Sequence, residues 1–267
     1  MLSLADVDQF SEINGLLSSE RPCIVSFLEK KLKFDYFFFP KNSDTLLVLF
    51  PSALPKNKRN LPAFHRWSWC ENFTRMDCIS VSDPTLFLDD KILGGWMQGL
   101  TDVWALEETL KHIKLMIKAR GYKRIIFTGS SLGGFCAIQA GCIFDKGEEQ
   151  VFFYAENPQI SLYRYWIESH MNLLARVSYG KSSLKEVVDY KFRLDIVQLL
   201  NDRDIVAEKG LIVVKESDDH HFNVQLNYLI ENLNSKKINI ETIPLNVDST
   251  GHTPLNFDDM WKRISSF

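Results

Sequence analysis

The chain is expected to fold as a single α/β domain over 1–267, a mostly parallel central sheet with helices on both faces and a cap insertion at about 156–209. Three observations point there. Apolar runs such as Leu46 to Phe50 do not alternate with polar residues, which marks strands covered on both faces. Before the next such run, Val103, Leu106, Leu110, Ile113 and Ile117 recur at helical spacing. The run Ile125-Ile126-Phe127-Thr128 then breaks into Gly129-Ser130-Ser131-Leu132-Gly133 and a second helix, a strand, turn and helix in direct succession.

The elements follow in order. Cys23 to Leu28 and Phe34 to Phe39 flank a charged turn, Glu29-Lys30-Lys31, and predict an antiparallel hairpin at a sheet edge. Leu46 to Phe50 is a strand ended by Pro51, and Asp77 to Val81 repeats the pattern after a linker. A helix spans Thr101 to Arg120, with Gly121 placed to end it. Strand Arg124 to Thr128 leads into a helix over Leu132 to Phe144 that is apolar almost all round, hence deep in the fold. Val151 to Tyr154 is another strand. The stretch from Ala155 to Leu211 is too long for a simple crossover and has helical patches such as Leu184 to Leu200, which predicts a cap over the site. Gly210 to Val214 resumes the sheet, a helix covers Phe222 to Leu233, Ile238 to Ile243 is the last strand, and Met260 to Phe267 closes as a helix. No internal repeat, low-complexity tract or Pro/Gly-rich linker divides the chain.

Composition narrows the function classes. At 267 residues and 45% hydrophobic content, one large core can form. The formal net charge of −3, with 31 basic residues spread along the chain, argues against nucleic acid as a partner. Cys23, Cys70, Cys78, Cys136 and Cys142 are odd in number and lack C-x-x-C spacing, so they are expected as reduced thiols with no disulfide framework and no zinc signature. No apolar run reaches the ~18 residues of a membrane span, and Met1 to Gln9 lacks the basic start of a secretory signal. A cytoplasmic protein is expected.

The junction at Ser131 is a nucleophile elbow, in which a strained turn lifts a hydroxyl clear of the backbone in front of a helix N-terminus. A serine hydroxyl needs a base. With such an elbow the chain order is serine, acid, histidine, and of six histidines only His220, His221 and His252 lie C-terminal to it in plausible loops. His252 fits best, in Gly251-His252-Thr253-Pro254 directly after the final strand. The acid that orients the imidazole is sought in Lys215-Glu216-Ser217-Asp218-Asp219-His220-His221, where Asp219 is placed slightly ahead of Asp218 and the unused carboxylate is expected to cap the next helix. His220 and His221 are adjacent and diverge, with no third ligand patterned nearby, so no metal is expected. Oxyanion donors are expected from the backbone N–H of Leu132 and of Ser52 or Ala53, since Pro51 has none. Ser130 is expected only to satisfy the turn. Trp96, Tyr163, Tyr165 and Trp166 are candidates for substrate contact, against the alternative of buried packing.

The elbow, the acidic loop and Gly251-His252 together resemble the α/β-hydrolase superfamily over nearly the whole chain. Ser82-Asp83-Pro84-Thr85-Leu86, Gly94-Gly95-Trp96-Met97-Gln98-Gly99 and Gly129 to Gly134 further resemble bacterial capsular polysaccharide O-acetyltransferases of that fold. This resemblance implies acetyl-CoA as acetyl donor, an acetyl-Ser131 intermediate and a polysaccharide or oligosaccharide hydroxyl as acceptor. Lys181, Lys185, Lys191, Arg164, Arg176 and Arg193 in the insertion could supply charge for the CoA phosphates. The chain departs from the superfamily pattern at Phe50-Pro51, where His-Gly is usual, and at Lys215 or Glu216, where glycine is typical. A serine esterase or thioesterase acting on a small acyl ester uses the same residues, and a non-catalytic scaffold is the third reading.

Overall fold

The computed structural model describes residues 3–55, 59–233 and 237–267. In chain order the elements are β1 (Asp8–Phe10), α1 (Asn14–Ser18), β2 (Cys23–Glu29), β3 (Leu32–Phe39), β4 (Thr45–Leu49), β5 (Asp77–Val81), α2 (Ala105–Arg120), β6 (Arg124–Ser130), α3 (Leu132–Ile143) and β7 (Gln150–Glu156). They continue with α4 (Glu168–Tyr179), α5 (Lys191–Leu194), α6 (Ile196–Asp202), β8 (Lys209–Lys215), α7 (Asn227–Asn232), β9 (Ile238–Ile243) and α8 (Phe257–Ile264). Among the described residues the strands form one nine-stranded sheet in the order β1-β2-β3-β5-β4-β6-β7-β8-β9. Only β3 runs against its neighbours.

The apolar runs form strands because both faces are covered. Leu46, Val48, Ile125, Phe127, Val151 and Phe153 pack with residues of α2 and α3 such as Ile113, Phe135 and Ile138. Leu47, Leu49, Ile126 and Tyr154 face the other way, onto Phe64 and Phe73 of the β4–β5 connection and Met260 and Ile264 of α8. Gly121 ends α2 in the left-handed conformation at φ 71°.

Several boundaries differ from the sequence reading. The hairpin β2–β3 is not the edge, because β1 adds parallel to β2 outside it; three residues, two of them polar, carry no strand pattern. Its turn is a two-residue reversal with Lys30 and Lys31 at φ 47° and 69°, a twist that suits a hairpin but is usually made by Asn and Gly. Helix α2 begins at Ala105 rather than Thr101, and α8 covers 257–264 rather than 260–267. The helix expected from Phe222 starts earlier, as a π-helical turn at His220–Leu226 that runs into α7. Between β7 and β8 the chain is helical, and its longest helix, α4, was not anticipated.

The order of the strands places the site. From β4 the chain moves one way to β5, then crosses back past β4 to β6, so the crevice beyond the C-terminal ends of β4 and β6 is the topological switch point, where ligands bind in open α/β sheets. The Gly129 to Gly133 turn sits there.

Candidate active site

Ser131 lies between β6 and α3 at φ 55°, ψ −117°, a backbone conformation that costs a non-glycine residue about 1–3 kcal/mol. The junction is held because its N–H donates to Glu156 O (2.8 Å) and its carbonyl accepts from Phe135 N (3.1 Å). Close packing demands the flanking glycines. A Cβ on Gly129 would lie 2.1 Å from the carbonyl carbon of Gly133, and one on Gly133 would lie 2.5 Å from Pro51 O. Helix α3 is buried from Leu132 to Cys142, so its N-terminus is a rigid mount with its dipole toward Oγ.

His252 reaches the serine from the loop after β9: its Nε2 is 2.9 Å from Ser131 Oγ. Its Nδ1 is 2.5 Å from Asp218 Oδ2. The carboxylate in reach is therefore Asp218 and not the favoured Asp219, which is exposed and accepts from Asn223 Nδ2 at 2.7 Å. Nor does Asp219 cap the helix through its side chain, because it already has helical φ and ψ. Burial alone would raise the Asp218 carboxyl, but hydrogen bonds from His221 and His252 outweigh it and hold the group well below the usual carboxylate range.

Two buried charges fix the loop that carries His252. Lys215, 2% exposed, sends its Nζ to Asp248 Oδ2 (2.7 Å), Thr250 Oγ1 (2.8 Å) and Thr253 O (2.7 Å). Glu156 accepts from Leu255 N and pairs with Arg66 Nη2 at 2.9 Å. Lys215 thus acts as an anchor for this loop.

Asp218 has a second imidazole partner. His221 Nδ1 is 2.9 Å from Asp218 Oδ1, and the His221 and His252 rings stack with centroids 4.2 Å apart. His221 Nε2 is 2.8 Å from Gln159 Nε2, which is also 2.9 Å from Ser131 Oγ. Trp96 Nε1 donates to Gln159 Oε1 at 3.1 Å. Burial lowers the His221 imidazole, with the Asp218 contact opposing it in part. No motif in the sequence flagged Gln159, and His221 was weighed as a base behind His252 and as half of an adjacent pair, not as a partner of Asp218. Asp218, His221 and His252 are also a group whose ligand atoms lie within 4.8 Å of one another, close enough to hold a metal ion, with the third member supplied from the far loop.

The remaining candidates divide. Ala53 lies beside Gly94, whose added Cβ would meet Leu132 Cδ1 and Ala53 Cβ at 2.8 and 3.5 Å, so Leu132 and the loop after β4 do adjoin. The N–H groups of Leu132, Ser52 and Ala53 donate to no acceptor among the described residues. Trp96 is 2% exposed and packs edge-on against Tyr165, so it is buried packing rather than a surface for substrate. Tyr163 is half-buried, its hydroxyl donating to Val187 O. Trp166, 69% exposed, stacks on His220 at 5.7 Å and, with Tyr163, Tyr165, Glu168, Asn172 and Lys185, lines a cavity of about 270 Å³. Of the six cations considered for phosphates, the three arginines are engaged: Arg164 stacks on Tyr228, Arg193 is buried against Trp104 and donates to Leu100 O and Thr101 O, and Arg176 faces Asp89, while Lys181, Lys185 and Lys191 are exposed.

Comparison with solved structures agrees with the strand order. The fold is that of the α/β-hydrolases. One similar structure is the glycosylation-associated Gap123 protein complex of Streptococcus agalactiae, at 15% identity over 90% of this chain and 46% of that one, with a TM-score of 0.62. A monoglyceride lipase of Saccharomyces cerevisiae matches at 14% identity over 94% of this chain and 96% of its own, with a TM-score of 0.57. Esterase B of Lactobacillus rhamnosis matches at 10% identity, 88% and 79% coverage and a TM-score of 0.59. No family model and no curated protein sequence matches the chain. No helix of the described residues is long and apolar enough to cross a membrane, and all five cysteines are buried and free.

Proposed function

We propose that the protein is a serine esterase that cleaves a small acyl ester or thioester through an acyl-Ser131 intermediate. The observation that carries this reading is the continuous line Ser131 Oγ, His252 Nε2, His252 Nδ1, Asp218 Oδ2 on an α/β-hydrolase frame. In the proposed reaction Oγ attacks the acyl carbonyl while His252 takes its proton and passes it to the leaving group. Asp218 holds the imidazole in the Nδ1–H form, and the N–H groups of Leu132 and of Ser52 or Ala53 receive the oxyanion. Water then attacks the acyl-enzyme while His252 accepts its proton, and as the C–Oγ bond breaks His252 returns that proton to Oγ, so that the carboxylic acid leaves with Ser131 regenerated. Hydrolysis is favoured because the His252 side chain is 45% exposed, so water reaches the base freely. The helices of 157–208 act as a partial cap. The buried free thiols suit a reducing compartment such as the cytoplasm.

A second reading is transfer of the acyl group, with acetyl-CoA as donor, to a hydroxyl of a bacterial polysaccharide. What favours it is the exposed Trp166 platform beside a polar-lined cavity, a surface that stacks well on a sugar face. One structural neighbour is described as part of a glycosylation-associated complex. The deciding experiment gives the protein p-nitrophenyl acetate and, separately, labelled acetyl-CoA with and without capsular oligosaccharide. Free acetate alone supports the esterase, label on sugar supports the transferase, and unchanged turnover in Ser131→Ala excludes both.

A further inference from the structure

We propose that Gln159 is a catalytic residue of this site: its side-chain amide, clamped between Trp96 and His221, donates to Ser131 Oγ and keeps the Oγ–H directed at His252. This rests on the reading of Ser131 as nucleophile.

The donors and acceptors leave one assignment. An indole N–H can only donate, so the Gln159 atom facing Trp96 is the oxygen and the amide NH₂ faces the other way. An ionised Asp218 can only accept, so both imidazoles carry their protons on Nδ1 and present bare Nε2 atoms. One amide hydrogen of Gln159 then goes to His221 Nε2 and the other to a lone pair of Ser131 Oγ. With that lone pair occupied, the hydroxyl proton is left to His252 Nε2. Five side chains close a circuit, with Trp96 donating into it from outside, and every donor meets an acceptor. When water has added to the acyl-enzyme and the tetrahedral intermediate collapses, Oγ departs with developing negative charge and the same amide hydrogen stabilises it.

The surroundings hold this amide in place. Gln159 is 2% exposed, and a buried carboxamide persists only where its polar atoms are satisfied. Its backbone is pinned on both sides: Asn157 N donates to Val213 O, Asn157 Oδ1 accepts from Lys215 N, and Ile160 N and Ser161 N both donate to Gln225 Oε1. Trp96 is fixed in turn. It and Met97 sit at φ 48° and 52°, unusual for non-glycine residues, and buried Asp83 holds that bend by accepting from Gly95 N (2.9 Å) and Met97 N (3.3 Å). The motifs at 82–86 and 94–99 therefore act together as the mount for Trp96, which is a positioning residue acting through Gln159.

The test measures the rate at which a fluorophosphonate labels Ser131. Gln159→Met keeps the length of the side chain and removes the donor, and is expected to slow labelling about tenfold, the loss of one good hydrogen bond. Gln159→Asn, which keeps the amide but not its reach, is expected to fall between the two and stands in if the methionine variant does not fold. Trp96→Phe is expected to slow labelling severalfold in the wild-type background and to add nothing in the Gln159→Met background, whereas a merely structural tryptophan would add its full effect in both. Wild-type labelling rates in Gln159→Met and Gln159→Asn would overturn the proposal, and additive losses would overturn the role of Trp96. If Ser131 is not labelled in the wild-type protein at all, the esterase reading itself fails and this proposal with it.

Discussion

Replacing each of two adjacent carboxylates by its amide separates the acid of the proposed triad from a surface group. Asp218 accepts from two imidazole N–H groups, one on each oxygen, and is buried. Asparagine offers one oxygen and one NH₂ group in the same space. If the NH₂ faces His252, that imidazole must carry its proton on Nε2, where it meets Ser131 Oγ and can no longer accept; a tautomer error of this kind costs about 10⁴-fold in kcat, or about 5.5 kcal/mol. If the oxygen faces His252 instead, the NH₂ drives the His221 proton to Nε2, against the Gln159 amide, and the loss is smaller. Asp218→Asn is therefore expected to lose between about 10² and 10⁴ in kcat. Asp219 is exposed and touches Asn223 alone among these side chains, so Asp219→Asn is expected to remain within about twofold. Initial rates on p-nitrophenyl acetate, with unfolding midpoints as a control, make the comparison. Equal effects of the two variants, or an Asp218→Asn enzyme within tenfold of wild type, would refute the reasoning.

Three further outcomes are expected. Lys215→Met frees the loop carrying His252 from its three bonds and should lower kcat by up to about a hundredfold with little change in KM; unchanged kcat would mean that Glu156 alone holds the loop. Gly133→Ala drives a Cβ against Pro51 O and Phe50 O, which should cost about 2 kcal/mol and lower Tm by roughly 4–8 °C, together with most of the activity; a differential scanning experiment showing no fall in Tm contradicts the packing described. Burial, with Arg66 nearby, pulls the His65 imidazole down to about 3, and its Nε2 is sealed without a partner. The unfolded chain takes up that proton below pH about 6.5 and the folded chain does not, so stability falls as pH drops from 6.5 toward 3. In urea unfolding, His65→Gln should shrink the loss between pH 7 and pH 4 by about 3 kcal/mol, and an unchanged slope would reject it.

The sheet was legible because strands buried on both faces must be apolar throughout, and β4, β6, β7 and β8 all announce themselves that way. β1 was not, since three residues hydrogen-bonded to β2 need no pattern of their own. At the site, the elbow motif and the chain order pointed to Ser131 and His252, which the fold brings to 2.9 Å. Which of two neighbouring aspartates turns inward depends on how the chain winds into the π-helical turn at His220, where Phe222 N bonds to Asp218 O, and no residue pattern encodes that winding. Gln159 was invisible because a single carboxamide in a loop is ordinary until its three partners from distant segments surround it. For Trp96 the buried-packing alternative holds, and the sequence could not decide it because the cover, Tyr165, comes from the distant insertion between β7 and β8.

The bend at residue 131 has a cost outside chemistry. A glycine there would relax the backbone, and the resulting chain, lacking the hydroxyl, should withstand heat better than the wild type. The junction behaves as a drawn spring, kept under tension because a slack one would let the oxygen sink back among its neighbours. If Ser131 reacts as proposed, durability and reactivity pull against each other at this single position, and a stabilised variant would have to gain its endurance from elsewhere in the molecule.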